Sequence, residues 1–137
     1  MTELEGGSTV IASGTQWLAD FSDCRCDITL LNNAAKLELR SMAIVNAANL
    51  QIMGRVFHQI QPVGATGLIL LAESHLAIHT WPERGSVAVD LYVCNMTDNN
   101  TYKAETVFRQ LIYLLRSAAY THQLIHRQLA GRDVLLP

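Results

Sequence analysis

Between Leu68 and Cys94 the chain offers three strand-like runs whose connections are too short to be anything but turns. Leu68-Ile-Leu-Leu-Ala72 is the unbroken apolar run of a buried strand, and His75 to Trp81 alternates as a second. Ser86 to Cys94 is a third, with Val87, Val89, Leu91 and Val93 on one face, reached through the turn Pro82-Glu-Arg-Gly85. A parallel crossover needs a dozen or more residues, so strands this closely joined must run antiparallel. The segment predicts an antiparallel sheet that the rest of the chain has to cover.

The flanking sequence supplies that cover. Thr15 to Phe21, with Trp17 and Leu18, reads as a strand followed by the turn-rich Ser22-Asp-Cys-Arg-Cys-Asp27. Asn32 or Asn33 is placed to cap a helix running to about Ala48, in which Leu37, Ile44, Val45 and Ala48 recur at helical steps. Gln51 to Ile60 alternates in part, and Pro62, Gly64 and Gly67 punctuate a loop. Asp98-Asn-Asn100 introduces a second helix, Thr101 to Ser117, with Val107, Leu111, Leu114 and Leu115 as its apolar stripe, and a last strand spans Tyr120 to Leu129. Two helices can cover only one face of the sheet. The fold class predicted is α+β: a two-layer sandwich, mostly antiparallel β-sheet with two helices on one face. The uncovered face is a natural surface for a second copy. Residues 1–13 read as a flexible N-terminal arm and 14–137 as a single domain.

Composition narrows the function classes. With 137 residues, 50% hydrophobic and 16% charged, the chain has the material for one real core. A net charge of −2 and a pI near 6.2 speak against a nucleic-acid partner, whose phosphates call for a basic face. No apolar run has the length of a membrane span, and the start, Met1-Thr-Glu-Leu-Glu-Gly-Gly-Ser, lacks the regions of a signal peptide. Three cysteines exclude a full disulfide framework, so the expectation is a cytoplasmic protein with no membrane partner. Cys24 and Cys26 form a Cys-x-Cys pair without further matched ligands, and His122 and His126 lack a carboxylate at useful spacing, so no metal site is assigned.

The most unusual stretch is Ala72-Glu-Ser-His-Leu-Ala-Ile-His-Thr-Trp-Pro-Glu83, followed at the end of the next strand by Cys94. Hydrophobic strands have no structural use for a serine, two histidines, a glutamate and a cysteine together. Here the chain resembles the prokaryotic S-adenosylmethionine decarboxylases, a pyruvoyl-dependent family of polyamine and spermidine biosynthesis. The likeness is carried by Glu73-Ser-His75, by Ile78-His-Thr-Trp-Pro-Glu83 and by Tyr92-Val-Cys94. Gly54-Arg-Val-Phe-His58 and Gly64-Ala-Thr-Gly67 fit as well, so the resemblance covers roughly Thr15 to Gly131.

The chemistry of these residues agrees. Decarboxylation of an α-amino acid leaves an electron pair, which a ketone joined to the substrate amine as a Schiff base can accept. The resemblance implies that the ketone is a pyruvoyl cofactor made from Ser74. Ser74 attacks the Glu73 carbonyl to form an ester; loss of the Ser74 α-proton then expels the Glu73 carboxylate and leaves dehydroalanine, which hydrolyses to pyruvoyl. The proenzyme is thereby cut between Glu73 and Ser74. By the same resemblance His79 is the processing base, its five-residue offset along a strand being compatible with a site shared with Ser74. Thr66 stands where the family usually has a processing serine. Cys94 is the proton donor in turnover, a role suited to a thiol whose ordinary pKa is near 8.5. Glu83 is implied as the acceptor for the ribose hydroxyls, and His75 and Trp81 are placed to line the pocket, with core or dimer packing as the other reading of Trp81. Family members are dimers of cleaved protomers whose pockets draw on both chains, so a homodimer is expected.

Besides Thr66, the chain departs from the family pattern in three places. Ile60 replaces an aromatic residue used to stack on adenine, Arg84-Gly85-Ser86 replaces a more usual turn, and Asn95 follows Cys94 in place of glycine. A carboxylate hydrogen bond from Glu83, about 1.5–3 kcal/mol, outweighs a lost stacking contact of about 1 kcal/mol, and Phe57 and Trp17 are rings available to take over the adenine wall. S-adenosylmethionine is therefore the expected small-molecule substrate, with arginine or ornithine on the same chemistry as the alternative. A non-processing regulatory paralogue is the reading from another class. A zinc hydrolase using His75 and His79 lacks a third ligand.

Overall fold

The computed structural model describes residues 3–4, 8–9 and 13–131. Two short strands, β1 (Glu3–Leu4) and β2 (Ser8–Thr9), pair antiparallel. Of the flexible arm expected over 1–13, residues 1–2, 5–7 and 10–12 lie outside the described residues. Then follow β3 (Gly14–Cys24), the one-turn α1 (Ile28–Leu31), α2 (Ala34–Ala47), β4 (Ile52–Gln59), β5 (Ala65–Leu71), β6 (Ser74–Trp81), a 3₁₀ turn (Pro82–Arg84), β7 (Ser86–Cys94), α3 (Thr101–Leu115) and β8 (Ser117–Arg127). The six long strands form one sheet in the order β4-β5-β6-β7-β3-β8, and every neighbouring pair is antiparallel.

The two main helices lie on one face. The period of two in each strand sends Ile69, Leu76, Ile78, Val89, Leu91 and Val93 toward Leu37 and Val45 of α2 and Val107, Leu111 and Leu115 of α3, all in one buried cluster. Each fully buried side chain of this size contributes about 1.5–3 kcal/mol of transfer free energy. At the β3–β8 edge Trp17 stacks on Phe108 of α3 with ring centroids 4.6 Å apart, and Phe21 and His122 sit around the same ring. Among the described residues no helix covers the other face of the sheet. The expected α+β sandwich with a mostly antiparallel sheet is the fold of this chain.

Several boundaries differ from the sequence reading, each for a local reason. Gly67, expected in a loop, lies inside β5, where the Phe57 ring of β4 crosses it so closely that a Cβ there would come within 2.1 Å of the ring. The strand begins at Ala65 because the Ala65 amide donates to Thr80 Oγ1 at 2.9 Å. β3 continues past Phe21 to Cys24, which pairs with Ser117 at the start of β8. The second helix stops two residues early, since Arg116 takes a left-handed conformation (φ 48°) and turns the chain directly into β8. The extra turn α1 is capped by Asp27, whose carboxylate accepts from the Thr29 amide at 3.0 Å. For α2 the cap is Asn33, accepting from the Lys36 amide, while Asn32 accepts from the Gly64 amide at 2.8 Å instead. Among the described residues no helix is long and apolar enough to cross a membrane.

Thr80, part of the His-Thr-Trp-Pro motif, is structural. It is buried on the helix-covered face, donates to the Leu31 carbonyl at 2.6 Å and accepts from Ala65. One hydroxyl thus ties α1 to β5 and β6. Replacing it with the isosteric valine leaves a buried N–H and a buried C=O without partners, at a cost of about 1–3 kcal/mol each. Thr80→Val is expected to lower the thermal midpoint by roughly 4–8 °C per kcal/mol lost, scaled down modestly for a chain of this size; an unchanged midpoint by calorimetry would refute this role.

Candidate active site

Ser74 opens β6 directly after the tight hairpin turn Ala72-Glu73, which joins Leu71 to Ser74 in register. The turn forces Glu73 to φ 64°, a left-handed conformation that a residue with a Cβ adopts at a cost of about 1–2 kcal/mol. The residue on the N-terminal side of the Glu73–Ser74 bond is therefore held in a sparsely populated backbone conformation. Ser74 Oγ lies 3.3 Å from the Ala72 carbonyl and is the donor in that contact.

Across the sheet, His75 pairs with Tyr92 and the antiparallel register brings Cys94, at the end of β7, beside the Glu73–Ser74 turn. Cys94 is buried and shares with Glu73 and Ser74 a cavity of about 230 Å³, also lined by Asn49, Asn100 and Lys103. The Cys94 backbone is pinned: Asn100 Nδ2 donates to its carbonyl at 2.8 Å, and the Asn95 amide donates to the Ser13 carbonyl at 2.7 Å. The Asn95 side chain bonds Thr101 Oγ1 and accepts from the Asn100 amide, tying the strand end to the start of α3. Asn95, a departure from the glycine expected there, thus acts as a strap that a glycine would lack.

The other predicted residues gather at the far end of β6. Thr66 and His79 face each other across β5 and β6, with the Thr66 hydroxyl hydrogen-bonded to His79 Nδ1. They line a cavity of about 520 Å³ together with Ile60, Trp81 and Glu83. Glu83 is held in the 3₁₀ turn that follows β6, which closes on Gly85 in a left-handed conformation (φ 60°). Trp81, 43% exposed, is the aromatic wall of this cavity. The two rings considered for the adenine wall are elsewhere: Trp17 is under α3 against Phe108, and Phe57 lies across Gly67 on the covered face.

Within one chain Ser74 and His79 stand apart, so the offset that is compatible with a shared site does not by itself bring them together. Five residues of extended strand separate their backbones by roughly 16 Å, and the odd offset sends their side chains to opposite faces. The structure assembles two half-sites at the two ends of β6, one of Ser74 and Cys94, the other of Thr66, His79 and Glu83.

On the open face of the sheet lies a polar group that sequence reasoning missed. His75 Nε2 is 3.4 Å from Asp90 Oδ2, Gln16 Nε2 donates to Asp90 Oδ1 at 2.9 Å, and the Arg127 guanidinium sits 4.8 Å over the Tyr92 ring. Its one legible signal is Asp90, a lone acid in the apolar run Val87-Ala-Val-Asp-Leu-Tyr-Val93. Lys103 had no signal at all, being an ordinary helix residue in sequence. Burial pushes the Cys24 thiol up to about 11 and moves Cys26 in the same direction, so both remain protonated at neutral pH. Among the described residues no three His, Cys, Asp or Glu side chains converge as metal ligands.

The strain at Glu73 is measurable apart from any chemistry. In a Ser74→Ala background, Glu73→Gly should raise stability by up to about 1 kcal/mol by relieving the left-handed residue. A loss of stability in urea denaturation would contradict the strained turn.

Comparison with known proteins matches this chain over residues 15–128 to the family described as S-adenosylmethionine decarboxylase. Among curated relatives it is similar to the S-adenosylmethionine decarboxylase proenzyme of Thermosipho africanus, 34% identical over 109 residues that make up 80% of this chain and 82% of the relative. A proenzyme of the same name from Archaeoglobus fulgidus is 38% identical over 84 residues, 61% of this chain and 71% of that one. In three dimensions the chain is similar to the crystal structure of the adenosylmethionine decarboxylase from Aquifex aeolicus, with a TM-score of 0.79 and 29% identity over 93% of this chain and 100% of the other.

Proposed function

The chain belongs to the S-adenosylmethionine decarboxylase family, and on that premise we propose that it cuts itself between Glu73 and Ser74 and then decarboxylates S-adenosylmethionine in sites built from two copies of the chain. The product is decarboxylated S-adenosylmethionine, an aminopropyl donor for spermidine synthesis. The observation that carries the two-chain reading is the split of the reactive residues between the two ends of β6.

The open sheet face supports a second copy as its cover. Val56, Leu68 and Leu70 are 62%, 37% and 50% exposed there, an apolar patch of a kind that marks interaction surfaces. If two such faces pack about a two-fold axis with their β6 strands running in opposite directions, each Ser74 end meets the other chain's His79 end, and that histidine reaches the Ser74 backbone from the open face, away from the side to which Oγ points. One self-complementary contact then completes both sites.

Maturation follows from these positions. The Glu73 carbonyl, presented at the tip of the strained turn, is open to attack by Ser74 Oγ, and the peptide becomes an ester. The partner's His79, oriented by its hydrogen bond to Thr66, takes the Ser74 α-proton. The Glu73 carboxylate departs with the electron pair of the Cβ–O bond, and water converts the remaining dehydroalanine to the pyruvoyl group with release of ammonia. The Ser74 end fits such a group, since Ser74 begins a strand at a half-buried position beside a thiol whose backbone is pinned. The pyruvoyl group supplies the electrophilic ketone that accepts the electron pair released with carbon dioxide.

In turnover Cys94 holds the proton returned to the substrate α-carbon. Glu83 accepts both hydroxyls of the ribose diol, and Trp81 provides a flat face in the same cavity where Ile60 cannot stack. A basic amino acid needs no diol acceptor, so the pairing of Glu83 with Trp81 favours the nucleoside substrate over arginine or ornithine.

Mixed dimers test the shared site. His79→Ala alone should stay uncut, and Ser74→Ala cannot be cut. When the two are co-expressed, the His79→Ala chain should be cleaved, because its Ser74 meets an intact His79 from the partner. Intact-mass spectrometry showing no cleavage in the mixture, alongside a cleaved wild type, would place the whole site in one chain. For the substrate, carbon dioxide release from carboxyl-labelled S-adenosylmethionine, arginine and ornithine is compared side by side. Glu83→Gln should lower kcat/KM for S-adenosylmethionine by roughly tenfold or more; turnover of arginine or ornithine without turnover of S-adenosylmethionine would overturn the assignment.

A further inference from the structure

Lys103 stands in the Ser74 cavity with no part in the chemistry above. Among the described residues lining that cavity it is the only cation. Its position is electrostatically expensive on two counts. It lies in the first turn of α3, where the helix dipole disfavours positive charge, and its side chain is only 16% exposed. Its present partners compensate it in part: Nζ donates to the Asn49 carbonyl at 3.3 Å and is 3.7 Å from Asp98 Oδ2, a carboxylate that is 70% exposed and well solvated. A covered cation with incomplete compensation is suited to a negative charge that does not yet exist.

Self-cleavage creates such a charge in this cavity. Before the cut, Glu73 contributes an uncharged peptide carbonyl; after it, the same carbon carries an α-carboxylate. We infer that Lys103 is the counter-cation of that carboxylate, stabilising the negative charge that builds on the Glu73 oxygens as the Ser74 Cβ–O bond breaks and holding the new chain end afterwards. In this step the Ser74 α-proton passes to the partner's His79, the Cα–Cβ double bond forms, and the Cβ–O electron pair goes to the Glu73 carboxylate beside Lys103. The substrate's own carboxylate is the poorer candidate. A cation paired with it would stabilise the charged ground state and retard loss of carbon dioxide. The assignment deepens the processing reading and rests on it.

The test follows maturation rather than turnover. Purified full-length wild type, Lys103→Met and Lys103→Arg are sampled over time by intact-mass spectrometry, each with and without hydroxylamine, which cleaves an ester at Glu73–Ser74 but not a peptide. Lys103→Met should release the 74–137 fragment at least about tenfold more slowly, the factor expected when a charge-assisted hydrogen bond to a leaving carboxylate is lost. Its uncut chain should accumulate the hydroxylamine-sensitive ester, and Lys103→Arg should recover much of the rate. Thermal unfolding of Lys103→Met in the Ser74→Ala background checks the fold, and Lys103→Gln replaces it in the same time course if that midpoint collapses. Maturation of the neutral variant at the wild-type rate, or slowing without ester accumulation, would overturn the role of Lys103. A wild type that is never cut at Glu73–Ser74 would instead overturn the processing reading itself.

Discussion

The hydrogen-bonded register that holds β6 between β5 and β7 governs where every reactive residue falls. Thr66 is set opposite His79, and His75 opposite Tyr92. The period of two then divides the motif: Leu76, Ile78 and Thr80 point into the core, while His75, Ala77, His79 and Trp81 point to the open face. A slip of one residue would bury both histidines and expose the core, so the burial of Leu76 and Ile78 enforces the geometry of the chemistry. The same register puts Cys94 beside the Glu73–Ser74 turn, and it does so without any direct bond between the two residues.

Around that frame, polar groups within the fold act as fasteners. Thr80 joins α1 to two strands, and Asn95 with Asn100 fastens the end of β7 to the start of α3. Each satisfies backbone groups that would otherwise be buried without partners, which is the condition under which a polar residue in a core is tolerated. Both sit within or next to the motif that carries the chemistry. The motif is thus a mixture of structural residues and residues proposed for the chemistry, and only the hydrogen-bond partners tell them apart.

Division of the reactive residues between the two ends of one strand has a physical advantage under the proposed dimer. A lone chain holds Ser74 far from His79, so its strained turn meets no base and stays whole until the sheet faces pair. Assembly and maturation are then coupled by geometry alone, and the apolar patch of Val56, Leu68 and Leu70 supplies the driving force for both.

The chain's sequence by itself determined the architecture and the chemistry. Short turns between alternating runs demand antiparallel strands, helical periodicity marks two helices, and the cluster from Glu73 to Glu83 with Cys94 has no explanation as core. These signals are local, carried by residues a few positions apart, and so are legible in one dimension. Only the tertiary structure decided that Ser74 and His79 belong to different half-sites, because parity and strand length act in space. It alone revealed Lys103 in the Ser74 cavity and the Asp90 partnership of His75, since each joins residues of different elements, and the side-chain geometry by which Asn95 fastens the start of α3. Trp17 shows the same limit from the other side. As a ring in the sequence it was as good a candidate for the substrate wall as Trp81, but the pairing of β3 with β7 and β8 turns it under α3, while the end of β6 leaves Trp81 facing the cavity with Glu83.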